Sequence, residues 1–269
     1  MDAILDVGAN DGFHGIIFAF LNPHIKVYAF EPLKGLKKEI LNNVKKVQLS
    51  FNIKLKNYKL INHAVSDFNG YRPFNLTHSI ASSSLLNPKR KLHSQWTNSK
   101  DLLFIKDVSK QFSINKRLKV KVITLKKFCD ENNVNNILYL HVDVQGADLR
   151  VLKGLKNYRR KIHKGVIEVA KNKKLSIYVN GNTLSEVRKN FKKWNYKIIR
   201  IESVLKNIPE FNVYFENMKY FGVNDKSKKI SLPSNRKKRF FRRLFVEKLN
   251  WKDLIFKNFY KIELGLKNK

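Results

Sequence analysis

Three acidic residues each close a short apolar run. Asp6 follows Ala3-Ile4-Leu5, Glu31 follows Lys26-Val27-Tyr28-Ala29-Phe30, and Asp143 follows the run Leu138 to Val142. Between the first two lies "DVGANDGFHG", with Gly8, Asn10 and Gly12 in the turn before a helical stretch from Phe13 to Leu21. Glycine accepts positive φ and leaves no Cβ in the way of a ligand. A helix N-terminus after a strand offers unpaired N–H groups to a polar ligand. Asn10 stands where the GxGxxG dinucleotide fingerprint has a glycine, so the loop departs from that pattern. A tight turn with no ligand remains an alternative.

Glu31 lies about 20 residues beyond the glycine turn, where an acid can accept both hydroxyls of a ribose. The surroundings, Asp6, Asp11 and Glu31, are acidic where a pyrophosphate would want a neutral or positive cradle. That suits a nucleoside carrying cationic groups, such as the sulfonium and ammonium of S-adenosylmethionine. A helix-terminal acid before Pro32 is the plainer reading of Glu31. In an open parallel sheet the ligand lies beyond the carboxyl ends of the strands. Asp6, Glu31 and Asp143 would share that edge. Helix capping accounts for one of Asp143 and Asp148 more readily than for the whole set.

These residues need a sheet to hold them. Strands are expected at 3–7, 26–30, 59–65, 119–123, 137–143, 165–169 and 196–201, and helices at 12–22, 33–48, 124–132, 148–157 and 183–193. The alternation predicts an α/β fold, a mainly parallel sheet with helices on both faces. Residues 67–118 interrupt it, with a turn at Asp67-Phe68-Asn69-Gly70, a hairpin partner at Tyr71–Leu76 and polar runs beyond, and read as a lid or substrate loop. Domain boundaries follow: 1–223 for the main domain, and 224–269 for a basic linker and amphipathic helix.

The motifs "DVGANDG", "YAFEP", "AVSDFNG", "VKVITLKKF", "DVQGADLRVLKGL" and "IEV" occur in the order found in FkbM-type methyltransferases, which the stretch 3–202 resembles. The resemblance implies a Rossmann-like methyltransferase fold and an S-adenosylmethionine-dependent O-methyltransferase. It implies cofactor contacts at Asp6, Gly8, Asn10, Gly12 and Glu31, with Asp143 at the catalytic edge. Asp148 stands where the family usually has glutamate, and His141 where lysine or a bulky residue is common. The leading helices of many relatives are not seen ahead of the first strand, which implies a cofactor pocket open on one side or covered by a partner. Candidate bases are Asp143, His141 and His93, each with a packing or surface alternative. Ser83, Ser84, Gln145 and Glu168 are candidate acceptor contacts. The sequence shows no metal ligand set. The expected acceptor is a hydroxyl of a sugar or a glycan- or lipid-linked unit, a class resting on the resemblance. An RNA methyltransferase and a non-catalytic membrane- or glycan-binding module are the alternatives.

The single cysteine, Cys129, excludes a disulfide framework and fits a reducing compartment. No apolar run of about 18 residues exists to span a membrane. With no signal-like start visible, a cytoplasmic protein is expected, peripheral at a membrane through its tail. The net charge of +34 attracts polyanions. Lysine spread along the chain also fits a nucleotide-composition bias, so clusters carry more weight. Arg236, Lys237, Lys238, Arg239, Arg242 and Arg243 form the densest, with Trp251, Phe256, Phe259 and Tyr260 beyond. A helix over 236–260 with a basic and an aromatic face suits an anionic membrane surface. Nucleic acid is the rival partner, and packing on the domain the bland alternative. The tail is expected to be separable from cofactor binding.

Overall fold

A computed structural model describes residues 1–99, 102, 107–219 and 230–246. The central sheet has seven strands in the order β3-β2-β1-β7-β8-β10-β9. These are β1 (Asp2–Val7), β2 (Lys26–Phe30), β3 (Tyr58–Ile61), β7 (Asn136–Val142), β8 (Ile162–Ala170), β9 (Tyr196–Ser203) and β10 (Glu210–Asn217). Neighbours from β3 through β8 run parallel; β10 is antiparallel to both β8 and β9. The chain order reverses between β1 and β7, which makes their carboxyl ends the switch point where ligands bind.

Side-chain alternation divides the core. Ala3, Leu5 and Val7 of β1 pack beneath α5 (Leu125–Glu131), α6 (Asp148–Gly154) and α7 (Leu184–Trp194). Ile4 faces the opposite layer, with α1 (Phe13–Leu21) and α2 (Lys37–Phe51). In α2, Ile40, Val44, Val47 and Phe51 recur at helical spacing and turn inward. α7 opens on a capping box between Thr183 and Glu186.

Two expectations about the strands change. The run 59–65 breaks at Asn62-His63, and its second half, β4 (Ala64–Val65), joins a separate three-stranded sheet in the order β4-β6-β5. The turn at 67–70 therefore closes no hairpin. β5 (Gly70–Thr77) pairs antiparallel with the distant β6 (Ile114–Ile123), which lies between β5 and β4. The insert between them carries the short helices α3 (Ser94–Thr97) and α4 (Val108–Phe112). Strand β10 was not expected, because a hairpin reaches it from β9 without a crossover helix.

The tail helix exists as α8 (Asn235–Val246), but its apolar face is spent on the domain. Phe241, Leu244 and Phe245 are buried against α1 and α2. The linker from 224 to 229 and the aromatic residues Trp251, Phe256, Phe259 and Tyr260 lie outside the described residues.

Candidate active site

The glycine loop is shaped by a close crossing. Gly8 has φ 88°, and a Cβ there would stand 1.8 Å from the carbonyl oxygen of Asp143. Gly8 and Ala9 both donate backbone N–H groups to the Phe30 carbonyl, at 3.0 and 2.9 Å. The loop so draws the ends of β1, β2 and β7 together. Asn10, in the left-handed region at φ 49°, donates its N–H to Glu31 Oε2 at 2.9 Å. Leu33 N–H donates to Oε1 at 2.8 Å. Two backbone donors thus aim a carboxylate that is 6% exposed. Burial outweighs them and pushes the Glu31 carboxyl up to about 7.

Beyond these strand ends lies a cleft. Gly8, Asn10, Glu31, Asp143 and Gln145 supply its polar side, and Phe30, Leu33, Val65 and Leu85 its apolar walls. The insert roofs it with Phe74, Ile80, Ala81 and Ser83. His63 also lines it, and its Nδ1 is buried with no hydrogen-bond partner among the described residues. A strand-end carboxylate, apolar walls and an orphaned ring nitrogen on one cleft are the groups an adenosine needs.

A second hollow opens on the α1 side of the sheet, over β7, β8, β9 and β10. His14, His141, Glu168, Asn212, Arg200 and Lys238 line it. The rings of His14 and His141 stack at 4.1 Å. His141 Nδ1 lies 2.8 Å from Asp6 Oδ1, and Asp6 Oδ2 accepts the Gly15 N–H at 2.7 Å. A carboxylate only accepts, so in this contact His141 Nδ1 is the donor. A Cβ at Gly15 would sit 2.8 Å from Asp6 Oδ2, so that position must be small. Burial, then the neighbouring His141, holds His14 well below the usual histidine range and neutral.

Asp143 lines both hollows, alone among the described residues. Gln145 Nε2 donates to its Oδ1 at 2.7 Å, and Tyr178 Oη donates to Gln145 Oε1 at 3.0 Å. Gln145 is itself left-handed at φ 56°. Burial raises the Asp143 carboxyl, with His141 and Gln145 opposing. Behind it lie Asp148, whose Oδ1 accepts the Glu168 N–H at 3.2 Å, and the hydrogen-bonded carboxyls of Glu168 and Glu210. All three are raised chiefly by burial.

The expected site residues divide. Gly8, Asn10, Glu31, Ser83 and Gln145 line the cleft, His141 and Glu168 the hollow, and Asp143 both. Asp6 and Gly12 line neither; Asp6 is fully buried and orients the helix start and His141. Ser84 Oγ is spent on the Gln145 carbonyl at 2.8 Å. His93 caps α3, its Nδ1 accepting the Gln95 N–H, and lines neither hollow. His63, Tyr178, Glu210 and Asn212 were missed, for they sit in no motif and converge only on folding; His14 and Lys238 were seen only as part of the glycine stretch and of the basic cluster. Among the described residues no group of His, Cys, Asp and Glu is arranged to hold a metal ion.

The family model described as the methyltransferase FkbM domain matches residues 6–220. Among solved structures, an FkbM methyltransferase from Methylobacillus flagellatus KT is 13% identical with a TM-score of 0.47. The alignment covers 80% of this chain and 44% of that one. TrmK from M. capricolum, in complex with S-adenosyl-homocysteine, is 14% identical over 98% of this chain and 89% of that one, with a TM-score of 0.42. An rRNA methylase from Streptococcus thermophilus is 11% identical over 80% and 87%, at a TM-score of 0.37. No curated protein matches the chain.

Proposed function

The chain belongs to the methyltransferase FkbM family, with S-adenosylmethionine as its methyl donor, and on that premise we propose O-methyl transfer to a hydroxyl of a sugar or a glycan- or lipid-linked acceptor. The observation that carries the reading is Asp143, shared by the cleft that suits the donor and the hollow open to an acceptor.

Glu31 would hold the ribose hydroxyls with the lone pairs that Asn10 and Leu33 leave free. Gly8 and Asn10 would line the donor's amino-acid end, and Phe30, Leu33, Val65 and Leu85 would exclude water from its base. The bound donor supplies a methyl group already activated by its sulfonium. What remains for the chain is to aim an oxygen and remove its proton. Asp143 takes the hydroxyl proton on its carboxylate, oriented by Gln145. Burial makes it a stronger base than a free aspartate. His141, held by Asp6, offers Nε2 to a neighbouring acceptor group, and Glu168 and Asn212 offer further polar contacts. Ser83, which lines the cleft, reaches the acceptor only from the donor's side.

RNA is the second acceptor reading, favoured by the net charge of +34. An anionic membrane surface remains a proposed partner through the exposed Arg239 and Arg243 of α8. The test is transfer from labelled donor to cell-envelope glycans and to RNA, side by side. Label in the glycan fraction, lost in Asp143→Asn, supports the proposal; label in RNA alone overturns the acceptor class.

A further inference from the structure

Asp11 is the acid of the glycine loop that lines neither hollow. Its Oδ1 accepts the Phe13 N–H at 3.1 Å, and its carbonyl accepts Asn43 Nδ2 of α2 at 2.9 Å. Its Oδ2 meets Arg242 Nη1 of α8 at 2.6 Å. The same guanidinium stands 3.9 Å from the centroid of the Phe13 ring. Arg242 therefore grips the junction of loop and α1 by a charge and by a ring face. Asp11 is bonded in sequence to Asn10, whose N–H aims Glu31, so whatever displaces Asp11 disturbs the ribose carboxylate.

The helix that carries Arg242 is firmly seated. Phe241 is fully buried and meets Phe20 edge-on at 5.3 Å, and Phe245 meets Phe13 at 5.7 Å. Lys46 Nζ donates to the Phe245 carbonyl at 2.5 Å. Upstream, Asn22 clamps Ser231, donating to its carbonyl and accepting its N–H. One turn before Arg242, Lys238 lines the acceptor hollow. One short helix thus touches the donor loop and the acceptor hollow together.

We propose that Arg242 is a positioning residue for the donor-binding loop, so that docking of α8 and binding of the methyl donor are linked. The tail is then not separable from cofactor binding. The inference rests on the donor occupying the cleft at Glu31. Linkage is reciprocal: if docked α8 favours the donor, bound donor must favour docked α8.

The test uses the full chain and S-adenosylhomocysteine as probe. In calorimetry, Arg242→Gln is expected to weaken binding about three- to tenfold, the span of a half-exposed ion pair plus a cation–π contact. Arg239→Gln, exposed on the outer side of the same helix, is expected to stay within about twofold. Asp11→Asn added to Arg242→Gln is expected to cost no more than either change alone, since the two report one contact. In hydrogen exchange, the probe is expected to raise protection of α8 amides in the wild-type chain and not in Arg242→Gln. A folded Arg242→Gln chain that binds like wild type overturns the proposal. So does α8 protection indifferent to the probe. Failure of the wild-type chain to bind the probe is a different result: it refutes the donor site at Glu31, and this inference falls with it.

Discussion

Asp143 and Glu31 are both carboxylates at strand ends, and their surroundings differ. Glu31 is aimed by two backbone N–H groups into the cleft, whereas Asp143 is held by one side-chain amide between cleft and hollow. Asp143→Asn keeps the shape and removes the base. It is expected to lower methyl transfer by about 10²- to 10⁴-fold while S-adenosylhomocysteine affinity changes only a few-fold. Full activity in the folded variant removes Asp143 from the mechanism. Glu210 has a different test. Burial raises its carboxyl above the ordinary glutamate value that the unfolded chain keeps. The folded state then binds more protons between those two values, so stability falls as pH rises through the folded one. Glu210→Gln removes this cost, and the melting temperature of the variant is expected to fall less than wild type between about pH 5 and about pH 8. A steeper fall in the variant contradicts the assignment. Glu31 and Asp143 were legible as strand-end residues because each follows an apolar run, whereas Asp6, followed by Val7 of the same strand, lies buried within β1 and lines neither hollow. His93 misled because a histidine in a polar insert carries no mark that separates a helix cap from a base.

The strand–helix alternation in sequence predicts the parallel half of the sheet well, because each crossover helix announces its strand. It fails where pairing is non-local. β6 pairs with β5 across a connection whose described residues include the short helices α3 and α4, and β10 is reached by a hairpin. Alternation marks β6 at Val120 and Val122 and β10 at Val213 and Phe215, but it does not name the strand each pairs with. The tail helix was legible as amphipathic, yet periodicity cannot say what its apolar face meets. Here it meets α1 and α2. Phe241→Ala is therefore expected to cost about 3–5 kcal/mol, read as a clear drop in melting temperature. A loss below about 1 kcal/mol, the range of surface sites, would contradict the packing.

At the scale of the molecule, +34 charges sit on a fold whose described helices include none long and apolar enough to cross a membrane. If the outer face of α8 meets an anionic surface, full-length protein is expected to sediment with vesicles containing acidic lipid at about 0.1 M salt and to be released as salt shortens the Debye length. Absence of sedimentation at that salt rules the surface out as a partner. The acid at the end of β2 is proposed to hold the ribose of the methyl donor. Calorimetry of S-adenosylhomocysteine with wild-type and Glu31→Ala chains tests it most directly. Wild type is expected to bind, more weakly at about pH 6 than at about pH 8, because protonation of Glu31 removes the acceptor the ribose hydroxyls need. Glu31→Ala is expected to bind at least about tenfold more weakly, with the pH dependence gone. A folded Glu31→Ala chain that binds with wild-type affinity would contradict the account.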